Sequence, residues 1–244
     1  MHEQIQLQIQ LNPRLDRRVI ADIFRTQGRV HIPDVLTASS ADTLFTQLDT
    51  RTPWQLSLNV GQRHVDIAHQ QLMLMPPEQR ETMTKKMLEQ SRRGFQYVFE
   101  NFPLYDLYRS GERAHPLMAM HEFLNSEEFL QFARAITGLP AIAFADSQAT
   151  RYLPGHFLTE HDDNVAGKQR LAAYVFGFTP EWRADWGGVL QFIDRDGHVA
   201  EGYVPKFNVL NLFRVPQNHC VSYVAPAATH ARYSITGWLR AGDH

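Results

Sequence analysis

The sequence predicts an α+β protein in which a mainly helical N-terminal layer, residues 1–140, with one or two edge strands, supports a C-terminal β-barrel, residues 141–244. Before Pro140 the apolar residues recur at helical spacing; after it they fall into short runs broken by turns. No Pro-, Gly- or Ser-rich linker separates the two halves, so they read as a single domain. At 244 residues, 43% of them hydrophobic, the chain is long enough to bury a substantial core.

In chain order, Ile5, Leu7, Ile9 and Leu11 alternate with polar residues, as a strand with one buried face does. A helix follows from about Pro13, with Val19, Ile20, Ile23 and Phe24 on one side, and ends near Gly28. Arg29 to Ile32 reads as a short strand stopped by Pro33, and Ser39 or Ser40 caps a helix bearing Leu44, Phe45 and Leu48. The longest helix begins after Pro76-Pro77. Its core-facing stripe is Met83, Met87, Leu88, Phe95, Val98 and Phe102, and Arg80, Lys85, Lys86, Arg92 and Arg93 form its solvated face. A shorter helix, capped by Asn125 or Ser126, carries Phe129, Leu130, Phe132, Ala133 and Ile136 and ends at Gly138. The barrel strands are 141–145, 149–153, 171–178, 189–193, 207–213, 220–224 and 233–239, with turns at Pro154-Gly155, Gly187-Gly188, Asp194 to Gly197 and Val215 to Asn218.

Lys plus Arg number 24 and Asp plus Glu 26, a formal charge of −2, which excludes nucleic-acid binding driven by bulk positive charge; no nucleic-acid partner is expected. The one cysteine, Cys220, excludes an internal disulfide and any cysteine-rich zinc or iron–sulfur site. No apolar run approaches a membrane-spanning length and the N-terminus lacks a signal layout, so a cytoplasmic protein without a membrane partner is expected. The 12 histidines are the first hint of metal or proton chemistry.

That hint sharpens in the stretch HFLTEHDDNVAG, where His161 and Asp163 stand two apart. At a strand end, residues i and i+2 point to one side, so an imidazole and a carboxylate would face the same metal while Asp162 turns to solvent. His219, opening the run HCVSYV, is placed to close a three-ligand site from a neighbouring strand. Two histidines and one carboxylate on one face of an octahedron leave three positions open, the arrangement of non-haem Fe(II) oxygenases. Thirteen residues past His219 comes Arg232. On its strand Arg232, Ser234, Thr236 and Trp238 share one face, while apolar Tyr233, Ile235 and Leu239 share the other and should pack on the helical layer. A guanidinium inside a barrel is costly unless an anion meets it. A dicarboxylate co-substrate would supply that anion, held two-pronged by Arg232 with help from the Ser234 hydroxyl.

From about Asp146 to Leu239 the chain resembles the 2-oxoglutarate- and Fe(II)-dependent oxygenases with a double-stranded β-helix (jelly-roll, cupin-like) barrel. The matching pieces are Tyr152 nine residues before His161, the pair His161 and Asp163, and Gly187-Gly188-Val189-Leu190-Gln191 as a turn into a strand. Pro205-Lys206-Phe207-Asn208, His219 and Arg232-Tyr233-Ser234 complete the series. Within that superfamily the segments Thr179-Pro180-Glu181-Trp182 and Pro205 to Asn208 resemble the prolyl-hydroxylase branch that modifies ribosomal or translation-factor proteins. In the N-terminal half the likeness is confined mainly to Ile32-Pro33-Asp34-Val35-Leu36. The resemblance implies Fe(II) on His161, Asp163 and His219, 2-oxoglutarate as co-substrate with its far carboxylate on Arg232, O2, and ascorbate as a further cofactor. It implies oxidative decarboxylation to succinate and carbon dioxide coupled to hydroxylation of a C–H bond. By its place, Tyr152 is a hydroxyl donor to 2-oxoglutarate or an ordinary barrel aromatic.

The expected substrate is a prolyl residue in a protein or peptide, with translation-related proteins among the candidates. The alternatives are a free amino acid or other small molecule, enclosed by a lid from Trp54 to Ile67, and a non-catalytic cupin-like binding or sensing protein. His156 and His230 read as loop or strand histidines, and Cys220 as a buried structural thiol on the face opposite His219. His121-Glu122 resembles the start of a zincin motif, but Asn125 stands where the second histidine is needed. Trp182 and Trp186 border the substrate entrance or simply pack. The oligomeric state is left open.

Overall fold

The computed structural model describes residues 7–61 and 63–242. The expected N-terminal strand lies partly outside them, and what is described is not a strand. Leu11 makes a single antiparallel bridge to Leu36. The backbone of Gln10 bonds instead to Ser40 Oγ and to the Thr37 amide, so its hydrogen bonds go to a helix corner and not to a ladder.

Helix α1 (Arg17–Gln27) opens on the Asp16 carboxylate, which accepts from the amides of Arg18 and Val19, and ends at left-handed Gly28. Its buried residues are Ile20 and Phe24; Val19 and Ile23 face solvent, so the apolar face is narrower than the sequence suggests. Strand β1 (Arg29–Pro33) follows, then helix α2 (Ala38–Thr50). The cap position of α2 is Thr37 rather than Ser39 or Ser40, and the Ser40 hydroxyl ties down the N-terminal segment.

Strands β2 (Gln55–Val60) and β3 (Arg63–Ala68) form an antiparallel hairpin, followed by short α3 (His69–Leu74) and α4 (Pro77–Ser91). The long helix predicted through Phe102 therefore stops at Ser91. Val98 and Phe102 belong to strand β4 (Tyr97–Phe102), all six of whose residues are buried, and Phe95 is half exposed ahead of it. A strand covered on both faces loses the period-two signature, and here its apolar residues continue the helical spacing of α4 by coincidence. Two short helices, α5 (Leu104–Arg109) and α6 (Met118–Leu124), precede α7 (Glu127–Thr137), where Ser126 Oγ caps the Phe129 amide and Gly138 takes the left-handed C-terminal position as the sequence predicts.

The rest is strands: β5 (Phe144–Ala145), β6 (Gln148–Tyr152), β7 (Phe157–His161), β8 (Arg170–Phe178), β9 (Leu190–Ile193), β10 (Val199–Tyr203), β11 (Phe207–Arg214), β12 (His219–Val221) and β13 (Arg232–Arg240). β10 is absent from the predicted runs because its residues are mostly exposed; β7 is foreseen only as the strand that ends at His161. The strands join one sheet in the order β1-β11-β8-β13-β6-β4-β7-β12-β9-β10. Because β4 pairs with both β6 and β7, the sheet turns back on itself there into a double-stranded β-helix. Outside it, α1, α2, α6 and α7 share a core with β8, β11 and β13 through Phe24, Leu44, Phe132, Phe176, Leu210 and Ile235.

Strand β13 divides these environments. Tyr233, Ile235 and Leu239 belong to the helix-covered core, while Arg232, Ser234, Thr236 and Trp238 line the cavity inside the barrel. Ile235→Ala should therefore cost about 2–5 kcal/mol in urea unfolding. Ser234→Ala, which loses only the 2.7 Å contact with Thr150 Oγ1, should cost about 1 kcal/mol.

Candidate active site

The barrel encloses a cavity of about 520 Å³ bordered by strands β4, β6, β7, β8, β9, β11, β12 and β13. At one end His161 and His219 stand opposite each other in the β7–β12 ladder, with ring centroids 4.2 Å apart. Asp163 joins them, though not through strand alternation. β7 ends at His161, and Asp163 adopts φ +63°, a left-handed conformation that Asp tolerates, which swings its carboxylate back between the rings. One carboxylate oxygen lies 3.4 Å from His161 Nε2, the other 3.4 Å from His219 Nε2. Asp162, on the rim, accepts from the Asn164 amide.

Both imidazoles are oriented from behind. His161 Nδ1 donates to the Thr159 carbonyl at 3.0 Å and His219 Nδ1 to the Gln217 carbonyl at 2.7 Å, so each neutral ring turns the lone pair of Nε2 toward Asp163. Lone pairs facing a carboxylate repel unless a cation lies between them. One donor atom from each of the three residues lies within 4.8 Å of the others. Adjacent ligands of an octahedral ion with bonds of ~2.1 Å sit ~3 Å apart, so the three fit a divalent metal after a small contraction. Burial, reinforced by His161, lowers the pKa of His219 to about 4, which keeps it neutral and able to bind metal at neutral pH.

Arg232, 6% exposed, lines the same cavity. Among the described residues no carboxylate lies within ion-pairing distance of it. Its guanidinium sits 4.7 Å above the Tyr152 ring, which in turn stacks on Phe99. Burial pushes the Tyr152 hydroxyl up to about 12 against the pull of Arg232, so it remains a proton donor. Gly188 backs the arginine, with Arg232 Cδ 3.3 Å from where a Cβ would be, and its neighbour Gly187 has room for none, 2.0 Å from the Tyr223 carbonyl. All six predicted site residues thus border one cavity.

Sequence reading missed other parts of the wall. Arg170 lies across the Trp238 ring at 3.4 Å and donates to the Asp163 carbonyl. Arg170 Nε and Trp238 Nε1 are buried and find no hydrogen-bond partner among the described residues. A charged residue opening a strand seven positions after Asp163 was the available signal for Arg170. Phe95 and Tyr97, taken for helix or left unassigned, also line the cavity, as does His64 from the hairpin proposed as a lid. The remaining candidates lie elsewhere. His156 Nδ1 accepts from the Leu153 amide, His121 bonds to Ser147, and His230 stacks on Trp186. Cys220 is half-buried rather than buried, facing Gln191 at the junction of β12 and β9.

Residues 147–240 match the family model of the 2OG-Fe(II) oxygenase superfamily. Over that segment the chain is similar to the 2OG-Fe(II) oxygenases. Its fold is shared with a Pseudomonas putida prolyl-4-hydroxylase (TM-score 0.55, 18% identity, covering 93% of this chain and 100% of that one). A Trichoplax adhaerens prolyl hydroxylase, solved with a peptide fragment of the hypoxia inducible factor oxygen degradation domain, matches at TM-score 0.58 and 15% identity over 92% of this chain and 89% of that one. The α-ketoglutarate-dependent epimerase SnoN of nogalamycin biosynthesis matches at 0.52 and 12% over 91% and 81%. Fe(II), 2-oxoglutarate and O2 are the cofactors of this oxygenase, and the donor set at the cavity end suits the metal.

The depressed His219 pKa also sets a stability window. In the metal-free oxygenase the unfolded chain takes up a proton on this residue below the ordinary value of 6.5, while the folded chain resists until about 4. Stability should be full above 6.5 and fall by roughly 3 kcal/mol as the pH drops to about 4. Urea unfolding across that range should show the slope, and His219→Gln should flatten it.

Proposed function

We propose that this oxygenase hydroxylates a prolyl residue of a protein or peptide, with His161, Asp163 and His219 as the iron ligands and Arg232 as the co-substrate anchor. The observation that carries the site assignment is the pairing of two features in one cavity: a His–Asp–His set and a buried arginine without a carboxylate partner among the described residues. Bound there, the iron would supply the oxidising chemistry that couples decarboxylation of 2-oxoglutarate to insertion of one oxygen into a C–H bond.

The chain's own residues supply position and shelter. Arg232 holds the distal carboxylate of 2-oxoglutarate, and Tyr152 beside it donates its hydroxyl proton to the same group. Ser234, paired with Thr150, contributes a second hydroxyl nearby. The apolar walls from Leu158, Leu190, Phe213 and Val221 exclude water around the reacting groups.

A polypeptide substrate is favoured by the rim, where Phe95 and Val165 border the cavity with about half of their surface exposed. The two prolyl hydroxylases of the same fold support this choice of residue. A small-molecule substrate is the second reading, favoured by the cavity's volume, which suits a single compact ligand.

Succinate release from 2-oxoglutarate with Fe(II) and air tests the site. The wild type should release succinate and Asp163→Ala should not. Arg232→Ala should raise the 2-oxoglutarate KM by about 10- to 100-fold, the range for loss of a charge-assisted hydrogen bond. An unchanged KM would overturn the anchor assignment. Mass spectrometry of proteins and metabolites from cells with and without this chain decides the substrate. A gain of one oxygen on proline is expected, and a gain only on a small metabolite would favour the second reading.

A further inference from the structure

We propose that Tyr97 is a substrate-positioning residue whose oxygen is offered to the cavity as a hydrogen-bond acceptor, because His64 and Asp66 hold its proton. Tyr97 on β4 and His64 on β3 both line the cavity. The Tyr97 hydroxyl lies 2.5 Å from His64 Nδ1, and His64 Nε2 lies 2.9 Å from one oxygen of Asp66. The other Asp66 oxygen accepts from the Ser57 hydroxyl on β2.

The direction of each bond follows from the inventory of donors. An ionised carboxylate only accepts, so in its neutral form the His64 ring carries its proton on Nε2. Nδ1 is then an acceptor, and the Tyr97 O–H donates to it. Burial and the negative charge of Asp66 push the Tyr97 hydroxyl up to about 12, so it keeps that proton. The Tyr97 ring packs between Phe95 and Phe99 at centroid distances of 5.6 and 5.4 Å, which limits its swing. The unused lone pair of the oxygen faces a ligand that must bring a donor, an N–H or an O–H. For a peptide that group is a backbone amide beside the residue being modified.

Two measurements test this, and only the second rests on the prolyl reading. In the metal-free protein with 15N-labelled histidine at mildly alkaline pH, the His64 signals are identified by their loss in His64→Gln. They should report the Nε2–H tautomer, and Tyr97→Phe should shift the Nδ1 signal. The opposite tautomer, or an Nδ1 signal indifferent to Tyr97→Phe, overturns the relay. Binding of N-acetylprolinamide and of its N,N-dimethylamide, which lacks the donor, is then compared on protein carrying Fe(II) and 2-oxoglutarate without oxygen. The wild type should bind the first about tenfold more tightly, and Tyr97→Phe should bind the two alike. No preference in the wild type, or one that survives in Tyr97→Phe, overturns the positioning role. Failure of both amides to bind overturns the prolyl ligand and the amide donor inferred for it, and the imidazole spectrum then decides the relay separately.

Discussion

Three electron-pair donors forced into one corner of a barrel are the constraint on which the rest depends. His161 and His219 are held face to face by the β7–β12 register, and a slip of one residue would put Cys220 where His219 stands. β12 is only three residues long, but it is paired on both sides, to β7 and to β9, and the Phe213 ring packs against His219 at 4.7 Å. Together with the left-handed turn at Asp163, this leaves two imidazole lone pairs and a carboxylate with nowhere to turn. The fold accepts that repulsion because a cation relieves it, which links metal binding to the stability of the same strands.

Charge then dictates what else the cavity takes. Its lining side chains include two carboxylates, Asp162 and Asp163, and two guanidiniums, Arg170 and Arg232, which cancel. A divalent metal therefore leaves an excess positive charge that a dianion such as 2-oxoglutarate neutralises. Of the two guanidiniums, Arg170 is tied to the Asp163 carbonyl and to Trp238, while Arg232 has no carboxylate within ion-pairing distance among the described residues.

The parts of this arrangement that were legible in the sequence are those governed by local rules. The caps of α7 at Ser126 and Gly138, the division of β13 into an apolar and a polar face, and the spacing of the histidines all follow from period and side-chain chemistry. Two kinds of feature were not. Buried strand β4 carries no alternation and was absorbed into a helix, and the alternation at the N-terminus, where Ile9 and Leu11 are buried but Leu11 finds only one bridge, imitated a strand. The convergence of Asp163 was anticipated for the wrong reason, because a positive φ at a non-glycine residue leaves no pattern in the sequence. Arg170 and Tyr97 were invisible as site residues because their role depends on which strands become neighbours across the barrel.

The misread strand carries the larger consequence. The family match begins at residue 147, yet β4 lies before it and pairs with β6 and β7, both inside it. Phe95, Tyr97 and Phe99 therefore form one wall of the cavity from outside the segment that carries the metal ligands and Arg232, and the β2–β3 hairpin extends that wall with His64. The His–Asp–His set and Arg232 lie in the matched core, while part of the cavity wall comes from the N-terminal half. Proteins can therefore share the barrel and its reaction and still differ in substrate, and SnoN and the prolyl hydroxylases share this fold at identities of 12% to 18%. The N-terminal half of this chain is thus more than a scaffold for the barrel, because its strand β4 and hairpin supply part of the cavity wall.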